Sequence, residues 1–240
     1  MDYQNEIEKR VKFIKDILIE SGAKGIVFGN SGGKDCALAG ILCKMACEDT
    51  VGVMMPCEST RNFGEDLEDG KALSQAFGIA NRMVDLTASK RAIIAASEGV
   101  SDLSPTAISN IAPRLRMTTL YLIGQSENRL VAGTGNASER YMGYFTKWGD
   151  GAYDFNPISD LTATEIYPFL RYLNAPLNII NKAPSAGLFE GQTDEGEMGV
   201  TYKAIDQYIR SGQGRAEDIE IIQRYHSRTE HKRKAALNFK

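Results

Sequence analysis

Hydrophobic positions in this chain fall into two kinds of run. Short blocks at 25–29 (GIVFG), 51–55 (VGVMM), 82–86 (RMVDL) and 129–133 (RLVAG) read as strands. Helix-like runs at 35–47, 65–77, 88–97 and 106–124 lie between them. That alternation predicts an α/β fold, an open parallel sheet with helices on both faces. Pro113 falls inside 106–124 and is expected to kink or restart that helix. Before the first strand, Ile7, Val11, Ile14 and Leu18 recur at helical spacing, with Gly22 as the stop. After residue 134 the texture changes to Gly, aromatic and charged residues, followed by helical pieces near 162–173, 201–211 and 216–228. Between the first two lies APSAGLFEGQTDEGEMG, an aperiodic segment long enough to be a functional or mobile loop. No repeat or linker interrupts residues 1–240, so a single domain is expected. Ligands of open α/β sheets sit at the carboxyl ends of the strands. Three polar runs follow predicted strands there: Asn30–Asp35, Pro56–Asn62 and Thr134–Glu139.

Composition narrows the partners. A net charge of −3 offers no basic field for nucleic acid, and no apolar stretch approaches the roughly 18–20 residues that span a bilayer. The charged N-terminus has no signal-peptide pattern. The four cysteines, Cys36, Cys43, Cys47 and Cys57, form no CxxC pair and lie far in sequence from His226 and His231, so a zinc site is disfavoured. Cys36, Cys43 and Cys47 share one helical face and read as small buried thiols, which suggests the cytoplasm. The aromatics around Lys147 (Tyr141, Tyr144, Phe145, Trp148, Tyr153) read as core packing and a ligand or dimer contact.

Candidate chemistry centres on FGNSGGKDCALAG, residues 28–40. Ser31-Gly32-Gly33-Lys34-Asp35 follows a strand and opens a helix. Glycines there let the backbone approach a ligand closely, and the free N–H groups of the helix favour phosphate oxygens. A plain tight turn is the other reading. Asp35 either caps the helix or holds Mg²⁺ beside a polyphosphate. The run matches neither GxxxxGK[ST] nor GxGxxG, which disfavours a P-loop NTPase and a dinucleotide fold of the Rossmann fingerprint.

SGGKDC resembles the SGGxD[ST] pyrophosphate loop of the adenylating ATP pyrophosphatases. VGVMMPCEST, LVAGTGNASERYMGYFTKWGDGAYDFNPISDL, KAPSAGLFEGQTDEGEMGVTYKAID and RTEHKRKAAL narrow the resemblance to the ammonia-dependent NAD synthetases. The resemblance implies a Rossmann-like fold of the adenine nucleotide alpha hydrolase type, with no glutaminase (nitrilase-like) domain. It also implies a two-step reaction. The nicotinate carboxylate of deamido-NAD attacks the α-phosphorus of ATP, releasing pyrophosphate, and ammonia then displaces AMP to give NAD. By the same resemblance Gly29, Asn30, Ser31, Gly32, Gly33, Lys34, Asp35, Cys36, Thr134 and Ser185 would bind ATP. Asp35 and Glu139 would hold Mg²⁺, and Arg114, Lys147, Asp154, His231 and Lys232 would bind deamido-NAD. Residue by residue, other readings stay open: Glu139 as a charge in a helix's first turn, Arg116 in place of Arg114, and EHKRK as a basic tail. A homodimer with substrate across the interface is implied as well.

Two positions depart from the family pattern. Cys36 stands where Ser or Thr is usual, and a thiol is a weaker donor to phosphate. Ala163, in DLTATE, stands where many members carry a lysine that contacts ATP phosphates. Lys34 is a candidate replacement, so Lys34→Ala is expected to raise the Michaelis constant for ATP. An unchanged constant would remove that role. Two other functions compete: another adenylating enzyme of the superfamily, such as a tRNA-modifying one, and a weakened nucleotide-binding homologue.

Overall fold

Ile26, Val27 and Phe28 are all fully buried, which is why the first strand block shows no polar alternation. The computed structural model describes residues 1–182, 193–236 and 238–239. The chain runs α1 (Tyr3–Ser21), β1 (Gly25–Gly29), α2 (Lys34–Ala46), β2 (Thr50–Met54), α3 (Thr60–Phe63), α4 (Glu65–Phe77) and β3 (Ala80–Met83). Next come α5 (Thr87–Ala96), α6 (Pro105–Ser109), α7 (Ile111–Glu127), β4 (Arg129–Ala132) and α8 (Ala137–Met142). The rest is helical: α9 (Ala163–Tyr172), α10 (Leu177–Asn181), α11 (Asp194–Met198), α12 (Tyr202–Ser211), α13 (Ala216–Arg228) and α14 (Glu230–Arg233).

The strands form one parallel sheet in the order β3-β2-β1-β4, with Val27 in register with Val51 on one side and Val131 on the other. Side chains leave a strand on alternate faces. Ile26 and Phe28 therefore enter one core with Leu38, Ile41 and Leu42 of α2, joined by α1, α9 and α10. Val27 enters the opposite core with Val51, Val53, Val131 and the inner side of α7. Gly40 lets α2 lie directly on β1, because a Cβ there would come within 2.4 Å of the Phe28 ring. A third cluster, including Met142, Ala163, Tyr202, Ile205 and Ile222, binds α8, α9, α12 and α13 together.

Two expectations change. The run 106–124 is two helices, α6 and α7, divided at Asn110 and not at Pro113. Pro113 falls in the first turn of α7, where its missing N–H has no helical acceptor to lose. The third strand lies at Ala80–Met83, earlier than the apolar block at 82–86. As an edge strand it is mostly exposed, so its residues carry little apolar signal. Among the described residues no helix is long and apolar enough to cross a membrane.

Topology selects the site. After β1 the chain builds outward through β2 to β3, then returns to place β4 on the other side of β1. The order reverses between β1 and β4, where such sheets open a crevice at their carboxyl ends.

Candidate active site

The crevice is a cleft of about 500 Å³. Its floor is the turn from β1 into α2. Asn30, buried at the end of β1, sets that turn by donating from Nδ2 to Gly70 O (2.9 Å) and Ser74 Oγ (3.3 Å) of α4. Its Oδ1 accepts the Gly32 N–H at 3.4 Å. Gly32 holds φ at +69° and lies so close to α4 that a Cβ would meet Asp66 O at 2.6 Å and Asp69 Cβ at 2.7 Å. Gly33 then caps α2 without any side-chain cap bond, leaving the first-turn N–H groups facing the cleft.

Two acidic groups meet at this point from different helices. Asp35 lies in the first turn of α2, where it pairs with Lys34 Nζ at 2.5 Å and accepts from Asn136 Nδ2 at 3.0 Å. Asn136 is the N-cap of α8 and forms a capping box with Glu139. Its backbone N–H reaches Glu139 Oε2 at 3.0 Å, and its Oδ1 accepts the Glu139 N–H at 3.0 Å. One asparagine therefore ties both carboxylates. Burial, with the Asp35 charge beside it, holds the Glu139 carboxyl well above the usual carboxylate range. Lys34 partly offsets this, and its own pKa is raised because Asp35 and Glu139 outweigh the burial that would lower it. The Lys34 ammonium also lies 5.7 Å from the Tyr167 ring centroid and 5.6 Å from that of Tyr202. Burial and the surrounding carboxylates keep the Tyr202 hydroxyl protonated, and it donates to Asp194 at 3.0 Å.

The donor set suits a hard divalent cation. No group of three or more His, Cys, Asp or Glu that could hold a metal occurs among the described residues. Mg²⁺ is ordinarily held by one or two carboxylates with the remaining positions filled by water and substrate phosphates. Asp35 and Glu139, two carboxylates crowded beside a phosphate-type loop, fit that requirement.

Cys36 both packs and shapes the loop. It is 3% exposed, its thiol lies 3.1 Å from Gly33 O, and its sulfur accepts from Ser31 Oγ at 3.4 Å. Burial pushes the thiol pKa up, and all four cysteines are unpaired. Cys43 is fully buried, whereas Cys47 caps the end of α2 half-buried. Cys36→Ser restores a strong donor at the loop and is expected to lower the Michaelis constant for ATP about fivefold, the worth of roughly 1 kcal/mol. Steady-state kinetics at varied ATP checks it, and a raised constant would show that the thiol's packing matters more.

Gly29, Asn30, Ser31, Gly33, Lys34, Asp35, Cys36, Thr134, Glu139 and Lys232 all line the cleft. Lys232 donates to Gly143 O at 2.8 Å and Phe145 O at 2.7 Å. Lys147, His231, Asp154 and Arg114 lie outside the lining. Lys147 Nζ donates to His231 O at 2.8 Å, and His231 itself is exposed. Asp154 accepts the Val131 N–H at 2.7 Å and the Tyr121 hydroxyl at 3.1 Å, beside β4. Burial and that carboxylate push Tyr121 up to about 12. Arg114 is exposed on α7, while Arg116 reaches the cleft. Ser185 lies outside the described residues.

Asn136, Tyr202 and Lys182 join the site without being candidates from the sequence. Asn136 carried a legible sign, since Asn followed three residues later by Glu is a capping-box spacing. Lys182 pairs with Asp66 (2.7 Å) and Asp69 (2.5 Å), partners more than a hundred positions away that no local pattern connects.

The NAD synthase family model matches residues 6–236. The chain belongs to the NAD synthase family. These are carbon–nitrogen ligases that catalyse the final step of NAD biosynthesis. It is 44% identical over 237 residues to the NH3-dependent NAD(+) synthetase of Carboxydothermus hydrogenoformans, covering 98% of this chain and 96% of the relative. Among solved structures it is similar to the NMN synthetase from Francisella tularensis (TM-score 0.92, 37% identity, 99% and 98% of the two chains covered). It is also similar to the NH3-dependent NAD synthetase from Campylobacter jejuni, solved with nitrate (TM-score 0.84, 31% identity, all of both chains covered). These likenesses extend the NAD synthase fold, with its parallel sheet between helical layers, to this chain.

Proposed function

We propose that this chain amidates the nicotinate carboxylate of deamido-NAD with ammonia, consuming ATP through an adenylated intermediate and releasing pyrophosphate and AMP. The observation that carries this is the convergence of an uncapped helix N-terminus, a glycine turn and two carboxylates at the β1/β4 switch point. Asp35 and Glu139 would hold Mg²⁺, which when bound neutralises charge on the phosphates. The turn from Gly29 to Cys36 cradles the triphosphate, and Lys34 adds a positive charge beside it. Asn136 keeps both carboxylates oriented, and the cleft walls restrict water around the acyl-adenylate.

Arg114, Lys147, Asp154, His231 and Lys232 fit the dinucleotide acid in a homodimer. Arg114, Thr118 and Leu122 form an exposed row at i, i+4 and i+8 on α7, and Leu122 is 65% exposed. A second copy of the chain would bring such a row against the neighbouring cleft. Unpaired cysteines are consistent with a reducing, cytoplasmic setting.

The test is the purified chain with ATP, Mg²⁺, deamido-NAD and ammonium, with NAD and AMP followed by chromatography. Equimolar NAD and AMP are expected, and no NAD at saturating ammonium rules the proposal out. The likeness to the Francisella NMN synthetase favours a second reading, in which the acceptor is a nicotinate mononucleotide. The same assay with that acid decides between them by the ratio of kcat/KM values.

A further inference from the structure

Most buried and half-buried cations among the described residues are paired with carboxylates. Arg10 meets Asp160 at 2.6 Å and Glu6 at 3.0 Å, and Arg129 meets Asp49 at 2.8 Å and Glu127 at 2.7 Å. Lys90 meets Glu58 at 2.8 Å. Four are not: Lys147, Lys232 and Arg233 donate to backbone carbonyls, and Arg116 is the arginine among the four that lines the cleft. Its Nε donates to Met55 O at 3.1 Å and its Nη2 to Asn62 Oδ1 at 3.0 Å, both neutral acceptors. Among the described residues no carboxylate lies within ion-pair distance of it. Its Nη1 has no hydrogen-bond partner among those residues and is not sealed from solvent. The side chain lines the cleft.

The guanidinium is also held in place. Asn62 is 8% exposed, and its Nδ2 donates to Asp66 Oδ2 at 2.7 Å, which fixes its oxygen toward Arg116. Asp66 is itself occupied by Lys182 at 2.7 Å and Arg61 at 3.4 Å, so it is not a free counter-ion for Arg116. A fork-shaped cation, pinned by two neutral acceptors with one nitrogen left open, is preorganised for an oxyanion. A cation withdrawn from water without a partner is costly, and a ligand anion removes that cost.

Resting on the function proposed above, we infer that Arg116 is a second anion anchor of the cleft, separate from the Ser31–Cys36 turn. It grips an oxyanion of the reacting pair, either a phosphate of ATP or the carboxylate of the acid to be amidated. The position is set by Met55 and Asn62, and no carboxylate pairs directly with the guanidinium, Asp150 and Asp66 acting on it only from beyond ion-pair distance.

Calorimetric binding of ATP with Mg²⁺, of deamido-NAD and of NAD to the full chain and to Arg116→Gln tests this. NAD differs from deamido-NAD at the anchored group, carrying an amide in place of the carboxylate. If Arg116 grips phosphate, the variant binds ATP about 10–100-fold more weakly and keeps its ratio of deamido-NAD to NAD affinity. If it grips the carboxylate, ATP affinity holds and deamido-NAD loses its advantage over NAD. A merely structural role moves neither selectively. Arg116→Lys keeps the charge but loses the fork, and is expected to lose about tenfold in the same ligand. Unchanged affinities in whichever variant melts like wild type overturn the inference. Wild-type protein that binds none of the three ligands overturns the proposed function and the anchor together.

Discussion

Asp35→Asn is expected to lower kcat/KM for NAD formation by about 10²–10³-fold while leaving the fold intact. The substitution keeps the size of the side chain and an oxygen for the Asn136 amide, but removes a carboxylate from the pair that would hold Mg²⁺. Lys34 loses its 2.5 Å partner yet keeps the nearby Glu139. Burial still raises the Glu139 pKa, but the Asp35 charge, the next cause, is gone. The site is left with one carboxylate, Glu139, beside Lys34, which would hold Mg²⁺ more weakly than the pair. Residual activity should need a higher Mg²⁺ concentration for half-saturation, and the thermal midpoint should stay close to that of wild type. NAD production at varied Mg²⁺, beside a melting curve, checks this. Activity within tenfold of wild type would mean that Asp35 only caps the helix.

Gly32→Ala is expected to damage both stability and ATP binding. A Cβ at Gly32 meets the Asp66 carbonyl at 2.6 Å and the Asp69 Cβ at 2.7 Å, neither at the end of a flexible side chain. The backbone also sits at φ +69°, a region that costs an L-residue roughly 1–2 kcal/mol. Overpacking adds about 1–3 kcal/mol. The sum lowers the melting temperature by roughly 5–15 °C in a chain of this size. Relief comes by lifting the turn away from α4, which breaks the Gly32 N–H bond to Asn30 and displaces the first-turn N–H groups of α2. ATP affinity should fall at least about tenfold. A thermal melt with an ATP titration measures both, and a variant unchanged in both would show that the turn has slack.

Much of this architecture is written locally. The block GIVFG, buried on both faces, and the glycine pair before a run of helix formers are features of neighbouring residues. The resemblance carried by the later blocks led to the family because those blocks are long and ordered. The capping box at Asn136 and Glu139 was visible as a spacing, but its second task was not. Asn136 reaches Asp35 across 101 positions of sequence, and only the β1/β4 adjacency brings them together. The sequence points to Pro113 and the break falls at Asn110, because a proline is a breaker inside a helix and a good residue in its first turn. Which of the two depends on where the helix begins. The third strand was shifted because an edge strand has an exposed face and a weak apolar pattern.

The choice between Arg114 and Arg116 shows the limit most directly. Two residues apart on a helix, they differ by about 200° in direction, so composition and motif treat them alike while the fold separates them. One is exposed on α7 and the other is held in the cleft by Met55 and Asn62. By itself, then, the sequence determined the alternation of strands and helices, the glycine turn that opens α2 and the family, because each is encoded in contiguous residues. Only the tertiary structure decided which carboxylates meet, which lysine is buried beside them and which arginine lines the cleft, because those depend on elements far apart in the chain packing at one end of the sheet.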